Sequence, residues 1–248
     1  MHLSRNNGII FDNDIELDRS ITQRQYMTAF HDLECLLKTA NERLQRAMTA
    51  LVPDHKSDWE EYDAANQDVL RLERELAAAH GEEYAEACGF PLKWDVGAPM
   101  PHLIVNDDRA LLAFLLSEPD PASDGTYVTS KSPSDDQPEP LGLVEFDGCM
   151  SAKLGMPNDE VFGGHPLRGK GLEAYLAQRV VNSRWLKELE AINSVHSMYR
   201  PESWQDLSHF VFWFHDSTFE CVAQSFNVET HRTSMKELLG LMIDRLTS

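Results

Sequence analysis

The sequence predicts an α+β protein, with an N-terminal antiparallel, coiled-coil-like helical hairpin followed by a mainly antiparallel sheet with two helices. Two patterns support this fold class. In the first third of the chain, apolar residues recur every three and four positions, as they do on one face of a helix. Beyond residue 91 the period changes to two and the apolar runs become short, as in strands. Helices and strands that occupy separate stretches of the chain are typical of the α+β class.

The first helix is predicted by a heptad stripe of apolar residues that a partner helix must cover. Ser20 opens a Ser-x-x-Gln capping box, so the helix is expected to begin there and residues 1–19 to form a separate N-terminal segment. The helix is expected to end near Val52, because the residue before a proline disfavours helical backbone. The stripe consists of Phe30, Leu33, Leu37, Ala40, Leu44, Ala47 and Leu51.

A second helix is predicted directly after the first. Ser57 opens another capping box, of the form Ser-x-x-Glu, and a matching stripe follows it. The connection is only about five residues long, which favours an antiparallel hairpin. We place this hairpin at residues 20–88 and the domain boundary at Gly89-Phe90-Pro91, which interrupts both periodicities. The second stripe consists of Tyr62, Ala65, Val69, Leu72, Leu76 and Ala79.

The hairpin admits two interpretations. Its stripes can cover each other or pack along the second domain, which would make it a structural element. Alternatively it is an arm that engages a protein partner or a second copy of this chain, because Leu36, Met48 and Trp59 lie off the two stripes.

The second domain is expected over residues 91–248, beginning with short strands. Two apolar runs, 102–106 and 110–116, flank Asp107-Asp108-Arg109 and predict a β-hairpin. Five prolines among Ser and Asp predict a mobile loop at residues 117–140, with room for a short strand at 127–129. A further strand is expected at 141–146.

The remaining elements are a helix, a second hairpin and a closing helix. Apolar spacing predicts a helix from about Leu172 to Val195. Residues 209–215 and 218–224 predict a hairpin with a two-residue turn at Asp216-Ser217. A third capping box, at Ser234, predicts a helix that runs through Leu246.

Charge restricts the classes of function. The chain carries 22 basic and 41 acidic residues, a net charge of −19 that residues 1–90 and 91–248 share almost equally. Neither a general nucleic-acid binder nor a protein that binds anionic membranes is expected, because both need clustered Lys and Arg. The charge favours either plain solubility or an acidic face that captures a basic partner.

Localisation is expected to be cytoplasmic. The first seven residues lack the apolar region of a secretory signal, and the longest apolar run is far shorter than the ~18 residues that span a bilayer. The cysteines, Cys35, Cys88, Cys149 and Cys221, are widely separated and form no C-x-x-C motif, which indicates reduced thiols.

The 209–224 hairpin provides the first candidate site. Side chains alternate between faces along a strand, so its phenylalanines predict a core face and its polar and aromatic residues predict a pocket wall. His209 and His215 are separated by about 20 Å along the strand, so at most one belongs to a compact site. We select His215 with Glu220 as an acid–base pair, with an ordinary solvated contact at a hairpin tip as the alternative.

The glycine-rich loop at 156–171 provides the second candidate site. It concentrates polar residues, including Asp159 and His165, ahead of the predicted helix. Arg168, Gly169 and Lys170 are expected to bind an anion there, because free N–H groups at a helix N-terminus favour negative charge. A nucleotide-hydrolysing P-loop is not expected, since Gly171 occupies the position of the Ser or Thr that holds magnesium. The alternative is a structural turn whose charges pair with nearby carboxylates.

Two classes of function follow. The first is an acidic protein-interaction or regulatory protein, similar in kind to an inhibitor or immunity protein, that uses the hairpin and its acidic surface. The second is a small acid–base or metal-assisted enzyme of hydrolase type, or a ligand-binding domain, with a site between the 158–170 loop and the 215–220 hairpin. Its catalytic candidates are His165, His215, Glu220 and Asp159. No tight metal-ligand spacing is present and no pattern identifies a cofactor.

Overall fold

The computed structural model describes residues 13–52, 55–118 and 137–247, with side chains described from residue 28 onward. The chain divides into two compact units between Ala79 and His80. The predicted α+β class, with helices first and antiparallel sheets after them, is confirmed.

The first unit is a pair of packed helices, α1 at Asn13–Ala50 and α2 at Lys56–Ala79. Every member of the α1 stripe is buried or half-buried, and so is every member of the α2 stripe except Ala79. Arg43 crosses between the helices and pairs with Glu61 at 2.8 Å and Asp68 at 2.7 Å. The heptad spacing therefore identifies the faces on which the helices pack.

The ends of the hairpin differ from the prediction. Helix α1 begins at Asn13, so Ser20 lies within it rather than at its start. Helix α2 ends at Ala79, and residues 84–87 form a strand of the second unit, so the predicted range of 20–88 and the boundary at Gly89 are placed too late. Ser57 also lies inside its helix.

The second unit contains nine strands within the described residues, divided between two antiparallel sheets rather than one. The five-stranded sheet has the order β1-β6-β7-β8-β5, and the four-stranded sheet has the order β2-β3-β4-β9. The strands are β1 Tyr84–Ala87, β2 His102–Val105, β3 Arg109–Leu115, β4 Glu139–Asp147, β5 Ser151–Gly155, β6 Ala177–Val181, β7 Ser208–Trp213, β8 Thr218–Ala223 and β9 Ser225–Thr233. Among the same residues, three α-helices and one 3-10 helix accompany them: the 3-10 helix Asp159–Gly164, α3 Arg184–Asn193, the single turn α4 Glu202–Gln205, and α5 Met235–Thr247.

The core lies mainly between the two sheets. Phenylalanines of β7 and β8 pack there against Phe114 of β3 and Phe146 of β4. The outer face of the four-stranded sheet is covered by α5 through Leu238 and Met242. The outer face of the five-stranded sheet is covered by the loop that carries Leu167 and Leu172. This last layer places the loop against the outward side chains of β7 and β8.

The chain passes between the sheets twice at one corner. Strands β4 and β5 are joined through Gly148, and β8 and β9 are joined through Gln224, whose N–H donates to the Asp147 carbonyl at 2.9 Å. Gly148 has a φ of +59°, and a Cβ on it would lie 2.7 Å from the Gln224 side chain. This corner therefore requires glycine.

Most predicted strands and the last helix are confirmed, but the helix predicted at 172–195 is wrong in its first half. Residues 177–181 form β6, and α3 begins only at Arg184. Tyr175 and Asn182 adopt positive φ values of 61° and 55°, which no continuous helix accommodates. Within the predicted 117–140 loop, residues 119–136, including the 127–129 strand, lie outside the described residues, while β4 begins at Glu139.

Candidate functional site

An open cleft of about 690 Å³ lies on the outer face of the five-stranded sheet, and we call it the His165 cleft. Its volume falls within the range of about 300–1,000 Å³ that is typical of ligand sites. It is lined by Glu83, Lys153, Pro157, Val161, Gly164, His165, Pro166, Leu167, Arg184, Trp185, Glu188, His209 and Glu220. The cleft therefore joins the 158–170 loop to Glu220 of β8, both of which the sequence singled out.

Glu220 forms the charged floor of this cleft. Its carboxylate accepts a hydrogen bond from His209 at 2.8 Å and pairs with Lys153 at 3.0 Å. Burial acts to raise the pKa of Glu220, but the hydrogen bonds from His209 and Lys153 outweigh it and the pKa is lowered. Glu220 is therefore ionised at neutral pH although its side chain is only 12 % exposed.

His209 joins this floor to helix α3. Its Nε2 contacts Glu220, and its Nδ1 lies 2.8 Å from the hydroxyl of Ser183. Ser183 is the N-cap of α3, where its oxygen accepts the Leu186 N–H. Both ring nitrogens of His209 are therefore engaged, and His209 serves to hold Glu220 in place.

His165 presents a different chemistry in the same cleft. The backbone N–H of Leu167 donates to its Nδ1 at 3.2 Å, so the ring proton of the neutral form is on Nε2. Burial lowers the pKa of His165, which keeps the ring neutral at pH 7. Its ring meets Trp213 edge to face at 5.2 Å. His165 is therefore a neutral hydrogen-bond donor that lines the cleft.

The start of α3 also lines the cleft. Arg184 pairs with the buried carboxylate of Glu83 at 2.6 Å, and its backbone N–H donates to the same carboxylate at 2.9 Å. Trp185 offers a ring face, over which the Lys153 ammonium lies 4.4 Å from the centroid.

A second cluster, outside the residues that line the cleft, joins Asp159 to the 214–217 loop. Asp159 accepts hydrogen bonds from the Tyr175 hydroxyl at 2.5 Å and from His215 Nδ1 at 2.8 Å. The Tyr175 hydrogen bond is the chief reason why the pKa of Asp159 is lowered. Burial and the Asp159 carboxylate raise the pKa of Tyr175 to about 12, so its hydroxyl remains a donor. We call Tyr175, Asp159 and His215 the Asp159 cluster.

The structure thus divides the four catalytic candidates into two pairs. His165 and Glu220 line the cleft, whereas Asp159 and His215 contact each other in the Asp159 cluster. The predicted pairing of His215 with Glu220 is not formed. Trp213 pairs with Thr218 and Val211 with Glu220, so four residues rather than two lie between the strands.

His209 is the residue that sequence reasoning set aside. Glu220 lies opposite Val211, and His209 lies two residues before Val211 on the same face of the sheet. The alternation of side chains along the strand predicted that face correctly. The two-residue turn assumed from the sequence shifts the predicted register by two positions. Glu220 therefore stays on the predicted face of the sheet, but its neighbour is His209 rather than His215.

The predicted anion site loses its physical basis. No helix begins after the loop, because residues 166–174 form turns that lead into β6. Lys170 pairs with Glu82 at 2.6 Å, and Arg168 lies over the ring of Phe162 at 5.5 Å. Gly169 has a φ of +78° and serves the turn. Lys170 therefore matches the alternative of a structural turn whose charges pair with nearby carboxylates, whereas Arg168 contacts an aromatic ring.

Among the described residues, no group of three His, Cys, Asp or Glu side chains is arranged to hold a metal ion. Cys149 and Cys221 are buried, and burial raises the pKa of both thiols, so they are inert at neutral pH. Cys35 is exposed and Cys88 is half-buried.

Comparison of the chain with protein-family models, with curated proteins and with solved structures found no match. Within the described residues, no helix combines the length and the apolar character needed to cross a membrane.

Proposed function

We propose that this chain is a regulatory binding protein that captures a partner through the His165 cleft. The observation that supports this proposal best is the convergence of His165, Glu220 and Trp185 on one open cavity of ligand-site size. The cleft offers a neutral donor, a half-buried carboxylate and an aromatic face, and these groups suit a polar ligand with an apolar stem.

Binding is favoured over catalysis by the way the charges in the cleft are used. Glu83 pairs with Arg184, and Glu220 pairs with both His209 and Lys153. A catalytic acid or base needs a site free to exchange a proton with substrate. Of the groups that line the cleft, Glu188 is an exposed carboxylate, and the lowered pKa of His165 favours a donor role for its Nε2.

Site-specific photocrosslinking tests this function. A benzoylphenylalanine at Val161, which is exposed on the cleft, is expected to crosslink a discrete partner in lysate, and the adduct should disappear when Glu220→Gln is added. The matched control is the same group at Val105, which is equally exposed on β2. Identical adducts at both positions would show that the cleft does not recognise the partner. So would an adduct at Val161 whose yield is unchanged by Glu220→Gln.

The helical hairpin is a second surface for association. Leu36, Met48 and Trp59 are 55, 51 and 45 % exposed, respectively, and a large apolar exposure on packed helices favours self-association or a partner. We propose that the hairpin mediates pairing of two copies. Sedimentation of the full chain should then give a dimer that Leu36→Glu with Met48→Glu dissociates, while Val195→Glu on the second unit leaves it intact. A monomeric mass at every concentration contradicts this assignment.

An acid–base enzyme is the second candidate function, and the Asp159 cluster is the observation that favours it. Asp159 fixes the His215 proton on Nδ1, which leaves the Nε2 lone pair available as a general base. Hydrolysis of a panel of ester and phosphate substrates tests this function. Activity should be lost in His215→Gln and retained in His231→Gln, a histidine of β9 that also contacts a carboxylate.

A further inference from the structure

We propose that the His165 cleft recognises a cationic group, an ammonium or guanidinium, which binds between the Trp185 ring and the Glu220 carboxylate in the place that Lys153 occupies. This inference rests on the proposed function and specifies the chemistry of what the cleft captures.

The geometry of Lys153 shows what the cleft accepts. Its ammonium lies 4.4 Å from the centroid of Trp185 and 3.0 Å from a carboxylate oxygen of Glu220. An aromatic face on one side and a carboxylate on the other form a receptor for organic cations, since the ring quadrupole and the negative charge act in the same direction. The chain's own lysine fills this receptor.

Lys153 can leave this position at little cost. Its side chain is 57 % exposed, whereas that of Glu220 is only 12 % exposed. It lies on β5, an edge strand of the five-stranded sheet, where its long side chain has access to solvent. The receptor groups are fixed instead, because Glu220 is held by His209 and Trp185 contacts the His209 ring at 5.1 Å. Because the Lys153 end of this ion pair reaches solvent while Glu220 stays in place, an external cation can compete for the same carboxylate.

The charges around this position favour a cation as the replacement. Three carboxylates line the cleft, on Glu83, Glu188 and Glu220, against two cations, Lys153 and Arg184. Arg184 is committed to Glu83. When Lys153 is displaced, the ionised Glu220 keeps its contact with His209 but loses its cationic partner. An incoming ammonium or guanidinium restores this pairing, whereas an anion would be repelled.

The experiment compares three probes on the full chain by titration calorimetry: Nα-acetyl-arginine amide, the neutral Nα-acetyl-glutamine amide, and the anionic Nα-acetyl-glutamate amide. Lys153→Met removes the built-in competitor and is expected to bind the arginine probe about fivefold more tightly than the unaltered chain. Lys187→Met is the matched control, because it removes one exposed positive charge from α3 outside the cleft.

Two further variants locate the binding. In the Lys153→Met background, Glu220→Gln should abolish binding of the arginine probe, and Trp185→Leu should weaken it severalfold. Circular dichroism verifies the fold of each variant, and Trp185→Leu retains the test if Glu220→Gln fails to fold.

The inference is overturned if Lys153→Met binds the arginine probe no better than Lys187→Met, or if the glutamine probe binds equally well. It is also overturned if none of the probes binds any variant. These outcomes are separable from failure of the proposed function. A crosslink at Val161 that depends on Glu220, together with no preference for the cationic probe, would support the cleft as the partner-binding site and contradict its selectivity for a cation.

Discussion

Three histidines near the five-stranded sheet differ in what surrounds them, and their chemistry differs accordingly. His209 is buried with both nitrogens engaged, His215 is fixed by Asp159 and faces solvent, and His165 is half-buried against Trp213. Residue type alone predicts none of these roles, because each depends on partners that are distant in sequence. The 158–170 loop, which the sequence singled out, carries both His165, in the cleft, and Asp159, which contacts His215.

His165 makes a testable contribution to pH dependence. Burial lowers the pKa of His165 below the ordinary 6.5, so this histidine takes up a proton more readily in the unfolded chain than in the folded one. The free energy of unfolding therefore decreases as the pH falls through 6.5. We expect the melting temperature of His165→Gln to fall less than that of the unaltered chain between pH 7.5 and 5.5. Calorimetric melting curves at each pH provide the measurement, and parallel curves for the two proteins contradict the assignment.

Tyr175 should control the ionisation of Asp159. The lowered pKa of Asp159 stabilises the fold above the ordinary value of 3.8, and this contribution is lost as the pH falls through the lowered value. Tyr175→Phe removes the largest cause, so the pKa of Asp159 should rise toward its ordinary range. The carboxyl carbon shift of Asp159 in an NMR titration measures this change. An unchanged midpoint would mean that His215 alone holds the carboxylate.

At the scale of elements, the periodicity of apolar residues predicted which face of each helix or strand is buried, because neighbouring residues in the sequence determine that face. The heptad stripes predicted the packed faces of α1 and α2, and two-residue alternation predicted the core face of β7 and β8. The capping box at Ser234 is formed, with reciprocal hydrogen bonds between Ser234 and Glu237 at 3.2 and 3.3 Å. The boxes at Ser20 and Ser57 lie inside their helices, which begin at Asn13 and Lys56.

The error at 172–195 has an equally physical cause. Leu172 and Val180 are both buried, as an amphipathic helix would require. Val180, however, belongs to β6 of the five-stranded sheet, and Leu172 packs on the outer face of that sheet from the preceding loop. A short apolar spacing cannot distinguish these arrangements. The pairing of β6 with β1 and β7 decides that residues 177–181 form a strand, and this pairing joins segments that are far apart in sequence.

Two glycines should respond to alanine with opposite signs. Gly142 of β4 lies opposite Phe114, and a Cβ there would be 2.7 Å from the Phe114 ring inside the core, so Gly142→Ala should destabilise the fold by ~1–3 kcal/mol. Gly240 of α5 has open space around its Cβ position, so Gly240→Ala should stabilise by up to ~1 kcal/mol. Urea unfolding of both variants measures the changes. A stabilising Gly142→Ala would contradict the close packing of β3 and β4.

At the scale of the whole molecule, the negative charge is shared by both parts of the chain, and many of its carboxylates are paired. The net charge of −19 still opposes the compact state through repulsion. Exposed ion pairs contribute little, so screening the repulsion should dominate. We therefore expect the melting temperature to rise when sodium chloride is increased from low to moderate concentration. A fall would show that attractive pairs such as Arg43 with Glu61 outweigh the net repulsion.

The position of Lys153 has a further consequence, for the behaviour of the protein at high concentration. The edge strands of the five-stranded sheet are β1 and β5, with only four and five residues respectively. The Ala85 N–H of β1 donates to the Lys170 carbonyl, and β5 carries a lysine at its centre. Short edges and an edge lysine discourage one sheet from adding to another. Lys153 thus serves as an aggregation gatekeeper as well as an occupant of the cleft. Because Lys153 remains on β5 when its ammonium leaves the cleft, a cation that displaces it should leave this protection against strand addition in place.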